Sequence, residues 1–182
     1  MRFHRILILL GFAAFETVCY AKDTPGSGLT EKSFHPLFKI IRSVNRNVLI
    51  YEACVTPDNQ FCPNPIHIYW IMKNHGDKTE PLTALERRKV YGVSIISKDL
   101  NKLTFAIKPI PSRRITVTRI PTADKGALSA SILIGGKQAR LREVFIQMKS
   151  GGLVPSVDYI EMRGNALEET NESVLERING PS

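Results

Sequence analysis

The chain has 182 residues, 43% of them hydrophobic, and a formal net charge of +8 at pH 7. This length suits one domain with its own core, and the apolar fraction is that of a globular protein and excludes a disordered chain. The positive charge favours acidic partners such as anionic lipid headgroups, phosphorylated polysaccharide or nucleic acid.

Residues 1–21 have the pattern of a secretory signal peptide, with a basic start, an apolar stretch at 6–15 and a small residue, Ala21, at the cleavage position. The apolar stretch is too short to span a bilayer. We therefore expect an exported protein, periplasmic or secreted, with no transmembrane segment in the mature chain. A lipid anchor at Cys19 is the less favoured alternative, because the bulky Val18 precedes it.

The first part of the expected domain reads as β structure. Strands are predicted at 38–42, 48–55 and 66–72, because these segments are rich in β-branched and aromatic residues. Two prolines predict a break at 63–65, since proline cannot donate to a central ladder. A polar loop is expected at 74–80.

Cys54 and Cys62 are the two cysteines that remain after signal cleavage. An even number of cysteines in an exported chain indicates a disulfide, and these two can pair if the flanking strands form a hairpin. A metal site would need further ligands, and His67 is the nearby candidate. We favour a structural disulfide.

One short helix is predicted after the loop. Thr83 and Glu86 form a capping box, in which each side chain accepts from the backbone amide of the other. The helix should run to about Val90, and Gly92 is placed to end it.

The rest of the expected domain is again β. Gly135 and Gly136 predict a two-residue hairpin turn, because both central positions of a type I′ turn need positive φ. The apolar phase changes within the strand that follows, so we expect a β-bulge near Arg142. The predicted strands are 93–97, 103–107, 115–118, 128–134, 137–148 and 157–162.

The signal at 1–21 is therefore followed by a single β domain at 22–165 and an acidic tail at 166–182. The tail carries four glutamates against one arginine, and its helical apolar spacing suggests a short helix that frays. About nine strands and one helix insert indicate a mainly antiparallel β-sandwich, with a β-barrel as the alternative.

Four segments together resemble an uncharacterised family of exported bacterial proteins, the domain of unknown function 4833. They are residues 42–48, 64–71, 82–92 and 155–161, and the resemblance extends over 38–165. It implies one exported domain and brings no activity, cofactor or site with it.

The candidate catalytic residues are Glu52, His67, Glu86 and Tyr91. If the second and third predicted strands pair, Glu52 and His67 face each other, and such a pair can act as base and orienting group in hydrolysis. The ordinary explanation is strong, however, because Glu86 already caps the helix and His67 lies between two isoleucines. An unrecognised hydrolase is thus the alternative function.

Motifs for other chemistry are missing from the sequence. It has no Gly-x-Ser-x-Gly nucleophile motif and no His-Glu-x-x-His zinc motif. The glycine pairs do not precede helices, which argues against phosphate-binding loops. We therefore expect no metal, no cofactor and no specific nucleic-acid binding.

The preferred function is a binding or accessory module of the cell envelope, and a structural or assembly protein of the envelope, which would expose an apolar patch or a sheet edge, is a third class. The basic residues proposed to bind the ligand are Arg87, Arg88 and Lys89 on the helix, with Arg113 and Arg114 in a loop. The expected partner is an anionic glycan, a lipid headgroup or an envelope protein.

Overall fold

The computed structural model describes residues 32–120, 127–149, 156–168 and 171–180. The predicted signal peptide at 1–21, the turn at 122–126 and the loop at 151–152 lie outside the described residues.

Eleven strands in the described residues form one sheet. They are β1 (Ser33–Arg42), β2 (Val48–Val55), β3 (Phe61–Met72), β4 (Lys78–Pro81), β5 (Val93–Lys98), β6 (Lys102–Ile107), β7 (Ile115–Arg119), β8 (Leu128–Ile134), β9 (Lys137–Met148), β10 (Val157–Ala166) and β11 (Ser173–Asn179). A 3₁₀ turn at Lys73–His75 follows β3, and a π-helical segment at Glu86–Tyr91 joins β4 to β5.

The sheet curls into a half-barrel with the strand order β4-β3-β2-β1-β9-β8-β7-β6-β5, and β10 and β11 extend from β9. One edge of β9 pairs first with β8 and then, in parallel, with β1, while its other edge pairs with β10. The two halves of the sheet therefore diverge from one strand. The predicted mainly antiparallel β fold is confirmed, and the single curled sheet is nearer to the barrel than to two stacked sheets.

The core lies on one face of this sheet, as the alternation along β8 illustrates. Leu128, Ala130, Ile132 and Ile134 are buried, and the side chains between them are not. Successive side chains of a strand point to opposite faces, so this pattern turns the apolar face of each strand towards one shared hydrophobic cluster.

The predicted hairpin turn and β-bulge both occur. Gly135 and Gly136 have φ of 57° and 82°, as a type I′ turn requires.

The bulge lies where the ladder between β9 and β10 changes register. Glu143 pairs with Arg163 and Leu141 pairs with Gly164, so Arg142 is the extra residue. The predicted position of the bulge is confirmed.

The predicted break at 63–65 is wrong, because β3 continues through both prolines. The ladder between β2 and β3 stops at the pair Val55–Phe61 and resumes at Ala53–Ile66. The residues between these two pairs bulge out of the ladder. The missing N–H groups of the two prolines therefore break no hydrogen bond of the ladder.

Two segments predicted to lie outside the sheet are strands. The loop at 74–80 contains the start of β4, a short exposed edge strand. The tail at 166–182, predicted to be a fraying helix, contains β11, which pairs antiparallel with β10. Val174 and Ile178 are half-buried on one face of β11, so their spacing fits a strand as well as a helix.

The capping box forms as predicted. The Thr83 amide donates to Oε2 of Glu86 at 2.9 Å, and the Glu86 amide donates to Oγ1 of Thr83 at 3.2 Å. Gly92 follows the π-helical segment, but its φ of −65° is not left-handed. Glycine is needed there because a Cβ would lie 1.9 Å from the backbone oxygen of Arg87.

The predicted disulfide is confirmed. Cys54 and Cys62 are joined by an S–S bond with their Cα atoms 5.5 Å apart, and both residues are buried. The bond ties β2 to β3 at the bulge.

Candidate functional site

Two polar clusters lie on opposite faces of the β2–β3 hairpin. On β2, Tyr51 is fully buried whereas its neighbour Glu52 points outwards. On β3, His67 and Tyr69 share the outer face with Glu52, while Trp70 is buried on the inner face. The alternation of a strand therefore separates the catalytic candidates into an outer and an inner group.

The outer group contains Glu52, His67 and Tyr69. Glu52 and His67 are directly opposite in the ladder, as the predicted pairing requires, and Oε2 of Glu52 lies 3.4 Å from Nδ1 of His67. The Tyr69 hydroxyl donates to Oε1 of Glu52 at 2.9 Å. The carboxylate is mostly covered, with 13% of its side chain exposed, whereas half of the His67 side chain is exposed.

Burial, together with the hydrogen bond to Glu52, raises the pKa of Tyr69 to about 12. The phenol is therefore protonated at neutral pH and acts as a donor to the carboxylate, not as a base. These three residues and the edge residues Thr79 and Glu80 line an open pocket of about 280 Å³.

Glu86 and Tyr91 belong to the inner group, away from His67. Oε1 of Glu86 accepts a hydrogen bond from Nε1 of Trp70 at 3.2 Å. Tyr91 is buried, and its ring meets Trp70 edge to face at 5.3 Å between ring centres. The Tyr51 hydroxyl donates to the backbone oxygen of Tyr91 at 2.6 Å and fixes the π-helical segment to the sheet. The four catalytic candidates therefore do not converge in one pocket.

Arg42, at the end of β1, is the charged centre of the inner group. Its guanidinium carbon lies 4.7 Å from the centre of the Trp70 ring and 5.8 Å from that of Tyr91. Burial raises the pKa of Tyr91, and the nearby Arg42 partly opposes that rise. Nε of Arg42 is buried and has no hydrogen-bond partner in the described ranges.

Arg42 lines two adjoining pockets of different charge. The first, of about 210 Å³, also contains the carboxylates of Glu80 and Glu86. The second, of about 450 Å³, contains Lys89 and Lys108 instead, and no carboxylate is among its described lining residues. Within the part of the chain that the structure describes, none of these three cations forms an ion pair.

Of the predicted ligand-binding residues, Lys89 alone lines this second pocket. Arg87 and Arg88 are exposed on the same segment. Arg113 is paired with Glu176 of β11, and it lies with the exposed Arg114 beside a separate pocket near β7 and β8. The predicted basic residues thus occupy two separate places.

Sequence reasoning missed Arg42 and Lys108. Each stands at or just after the end of an apolar strand, and β1 and β6 bring those ends to the same mouth of the half-barrel. The sequence signal for both residues is a cation at the end of an otherwise apolar strand. Ordinary strands often end in this way, so the signal does not single out a binding residue.

The structure also bears on metals and membranes. No group of three or more His, Cys, Asp or Glu side chains in the described segments is placed to hold a metal ion. None of the described helices is long and apolar enough to cross a membrane.

Comparison with protein families identifies a match. The family model described as "Domain of unknown function (DUF4833)" matches residues 38–177. The chain belongs to this family. The resemblance predicted from the sequence is confirmed, and the match includes Arg42, Trp70 and both groups around them. Comparisons with curated proteins and with solved structures found no match. The description of this family names no activity for the domain.

Proposed function

We propose that this protein is an exported binding module that takes an anionic ligand at the pocket lined by Arg42, Lys89 and Lys108. The observation that carries the proposal is the concentration of three cations around one pocket without a carboxylate among its described lining residues. Coulomb attraction from several like charges at a partly enclosed surface is stronger than from the same charges spread in water.

Arg42 is suited to hold the anion because it is already positioned. Its guanidinium lies near the rings of Trp70 and Tyr91, which restrict its movement, and a planar guanidinium can donate two parallel hydrogen bonds to a carboxylate or phosphate. Little side-chain entropy is then lost on binding. The lysines are exposed and can adjust to anions of different size.

The disulfide supports export. The Cys54–Cys62 bond persists in an oxidising compartment, and disulfides are rare where thiols are kept reduced. The signal-like pattern of residues 1–21 supports the same location.

The test is anion binding by the purified domain, measured by isothermal titration with inorganic phosphate, pyrophosphate and alkyl phosphates at low salt. We expect saturable binding that weakens as salt is added. Arg42→Gln should weaken it by about tenfold or more, since a hydrogen bond to a charged group contributes about 1.5–3 kcal/mol.

Two variants serve as controls. Arg88→Gln removes an equal charge from the same helical segment outside the pocket, and it should change affinity little. Arg113→Gln removes a cation from the separate pocket near β7 and β8, where the other predicted basic residues lie. Absence of saturable binding for every anion contradicts the proposal, and so does a loss of binding with Arg113→Gln that exceeds the loss with Arg42→Gln.

The alternative is hydrolysis at the outer group. What supports it is the contact between Glu52 and His67 beside an open pocket, in which Glu52 would orient the imidazole and His67 would activate water. It is tested with nitrophenyl esters and phosphates. Turnover that is lost in His67→Gln would support this alternative, and equal rates for the wild type and the variant would refute it.

A further inference from the structure

The pocket beside Arg42 has two chemically distinct parts. Its cations stand on the β1 end, the π-helical segment and the loop after β6. One wall of the pocket is apolar and contains Ile146 and Met148 from β9 with Val157 and Ile160 from β10, and Ile146 lies next to Arg42 in the β1–β9 ladder. These four residues face one another across the β9–β10 ladder, where Ile146 pairs with Ile160 and Met148 with Val157.

Within the described residues, this apolar wall is only partly covered. Ile146 and Ile160 are buried, but Met148 and Val157 are half-buried at the pocket surface. Val90, on the helical segment, is 42% exposed and lines the same pocket. Apolar surface that stays open to solvent beside a charged rim is typical of a ligand site and not of a core.

The size of the pocket also fits a molecule larger than a small anion. Its volume of about 450 Å³ lies within the range of about 300–1,000 Å³ that is usual for ligand sites. Inorganic phosphate would contact the cations and leave the wall of β9 and β10 unused. An alkyl chain attached to the anion would cover that wall.

We infer that the ligand is a single-chain amphiphile, a carboxylate or phosphate headgroup on an alkyl chain. The headgroup binds Arg42, Lys89 and Lys108, and the chain lies against Met148 and Val157. This inference rests on the proposed function, since it names the class of anion that the same pocket binds.

Trp70 provides a built-in reporter. It is the single tryptophan of the chain, and its ring lies under the Arg42 guanidinium that would hold the headgroup. A headgroup that binds Arg42 would move or neutralise the positive charge beside the indole. Binding should therefore change the tryptophan emission, and no added dye is needed.

The experiment titrates the folded protein with inorganic phosphate, with butyl, octyl and dodecyl phosphate below their micelle concentrations, and with an uncharged dodecyl glycoside. We expect affinity to rise with chain length by up to about fourfold for each methylene that becomes fully buried. The uncharged glycoside should bind at least tenfold more weakly than dodecyl phosphate.

Variants of the wall separate the chain site from nonspecific binding. Val157→Thr keeps the side-chain shape, and Met148→Gln offers a second route if the first variant folds poorly. Each variant should weaken the binding of dodecyl phosphate severalfold and leave the affinity for inorganic phosphate unchanged. Val174→Thr, at a half-buried position of β11 away from the pocket, is the matched control and should change neither.

The outcomes distinguish this inference from the proposed function. If phosphate binds at Arg42 with the same affinity at every chain length, the amphiphile inference fails and the anion-binding function stands. If the uncharged glycoside binds as tightly as dodecyl phosphate, headgroup recognition fails. If no charged compound binds, both proposals fail.

Discussion

The guanidinium of Arg42 lies 4.7 Å from the centre of the Trp70 ring. The two residues come from different strands, β1 and β3, which are separated in the sheet by β2. A cation over an aromatic face is stabilised by the ring quadrupole, so the Arg42 charge is held at the pocket although it forms no ion pair with the described residues.

This cation–π contact predicts that lysine cannot replace Arg42. Arg42→Lys keeps the charge but loses the guanidinium that contacts the ring, so we expect the free energy of unfolding to fall by about 0.5–2 kcal/mol. Urea unfolding followed by circular dichroism measures the change. Arg46→Lys, at an exposed position, is the control and should be neutral. Equal stability of both variants would show that the contact between Arg42 and Trp70 contributes nothing to stability.

The outer group predicts an unusual phenol titration. Because Glu52 accepts a hydrogen bond from Tyr69, replacing it by Gln should lower the pKa of Tyr69 from about 12 towards its ordinary value of 10. Ultraviolet absorbance against pH, with Tyr69→Phe used to assign the signal, measures this shift. The folded pKa is raised, so the stabilisation is complete below pH 10 and is lost as the pH rises through about 12. An unchanged titration in Glu52→Gln would contradict the assignment.

Glu161 predicts an acid sensitivity of the β9–β10–β11 edge. Its carboxylate accepts from Nη2 of Arg163 and from Nη2 of Arg177, each at 2.6 Å, and these hydrogen bonds lower its pKa below 4.5. A lowered folded pKa means that this stabilisation is present above pH 4.5 and is lost as the pH falls through the folded value. Glu161→Gln should lower the free energy of unfolding by about 1–3 kcal/mol at pH 7.

The same variant should flatten the decline of stability below pH 4.5. Thermal unfolding at a series of pH values checks both effects, and the exposed Glu168→Gln should retain the wild-type profile. A variant profile parallel to the wild type would assign the acid sensitivity to other carboxylates.

The disulfide predicts a moderate gain in stability. Its closed loop is short, so replacement of Cys54 and Cys62 by Ala should lower the free energy of unfolding by about 2–3 kcal/mol in the loop-entropy treatment. Guanidinium unfolding under oxidising and reducing conditions measures this. The double variant should be insensitive to reductant, and a wild type that is equally insensitive would argue against the bond.

Gly92 predicts a steric effect that does not depend on backbone strain. Gly92→Ala places a Cβ 1.9 Å from the Arg87 oxygen and should cost about 1–3 kcal/mol by forcing the helical segment away. Gly76→Ala is the contrasting control, because Gly76 has a φ of 70° but open space around it. This control should lower the free energy of unfolding by about 1–2 kcal/mol, because alanine is strained in the left-handed backbone conformation.

The contrast can be read from Trp70 as well. Movement of the helical segment in Gly92→Ala should change the tryptophan emission, since Tyr91 contacts that ring. Gly76→Ala should leave the emission unchanged. Identical spectra for both variants would contradict the steric explanation.

The predictable features of this fold depend on local chemistry. The turn at Gly135 and Gly136 needs positive φ at both positions, the capping box needs Thr83 and Glu86 at one spacing, and the bulge at Arg142 follows from a phase change within one strand. Each can be read from a few neighbouring residues. The confirmed pairing of Glu52 with His67 is also local, since one hairpin sets its register.

Other features depend on residues far apart in the chain. The apolar residues of β11 fit both a helix and a strand, and its pairing with β10 decided between them. The prolines of β3 are tolerated because a bulge removes them from the ladder.

By itself, the sequence determined a mainly antiparallel β domain of the DUF4833 family with one disulfide. Only the tertiary structure placed Arg42 over Trp70 and brought Lys89 and Lys108 beside it. The physical reason is the pairing of β1 with β9, which joins the two halves of the sheet. The sequence does not show which residues surround a cation at the end of a strand. Its neighbours depend on which other strands end at the same opening of the half-barrel.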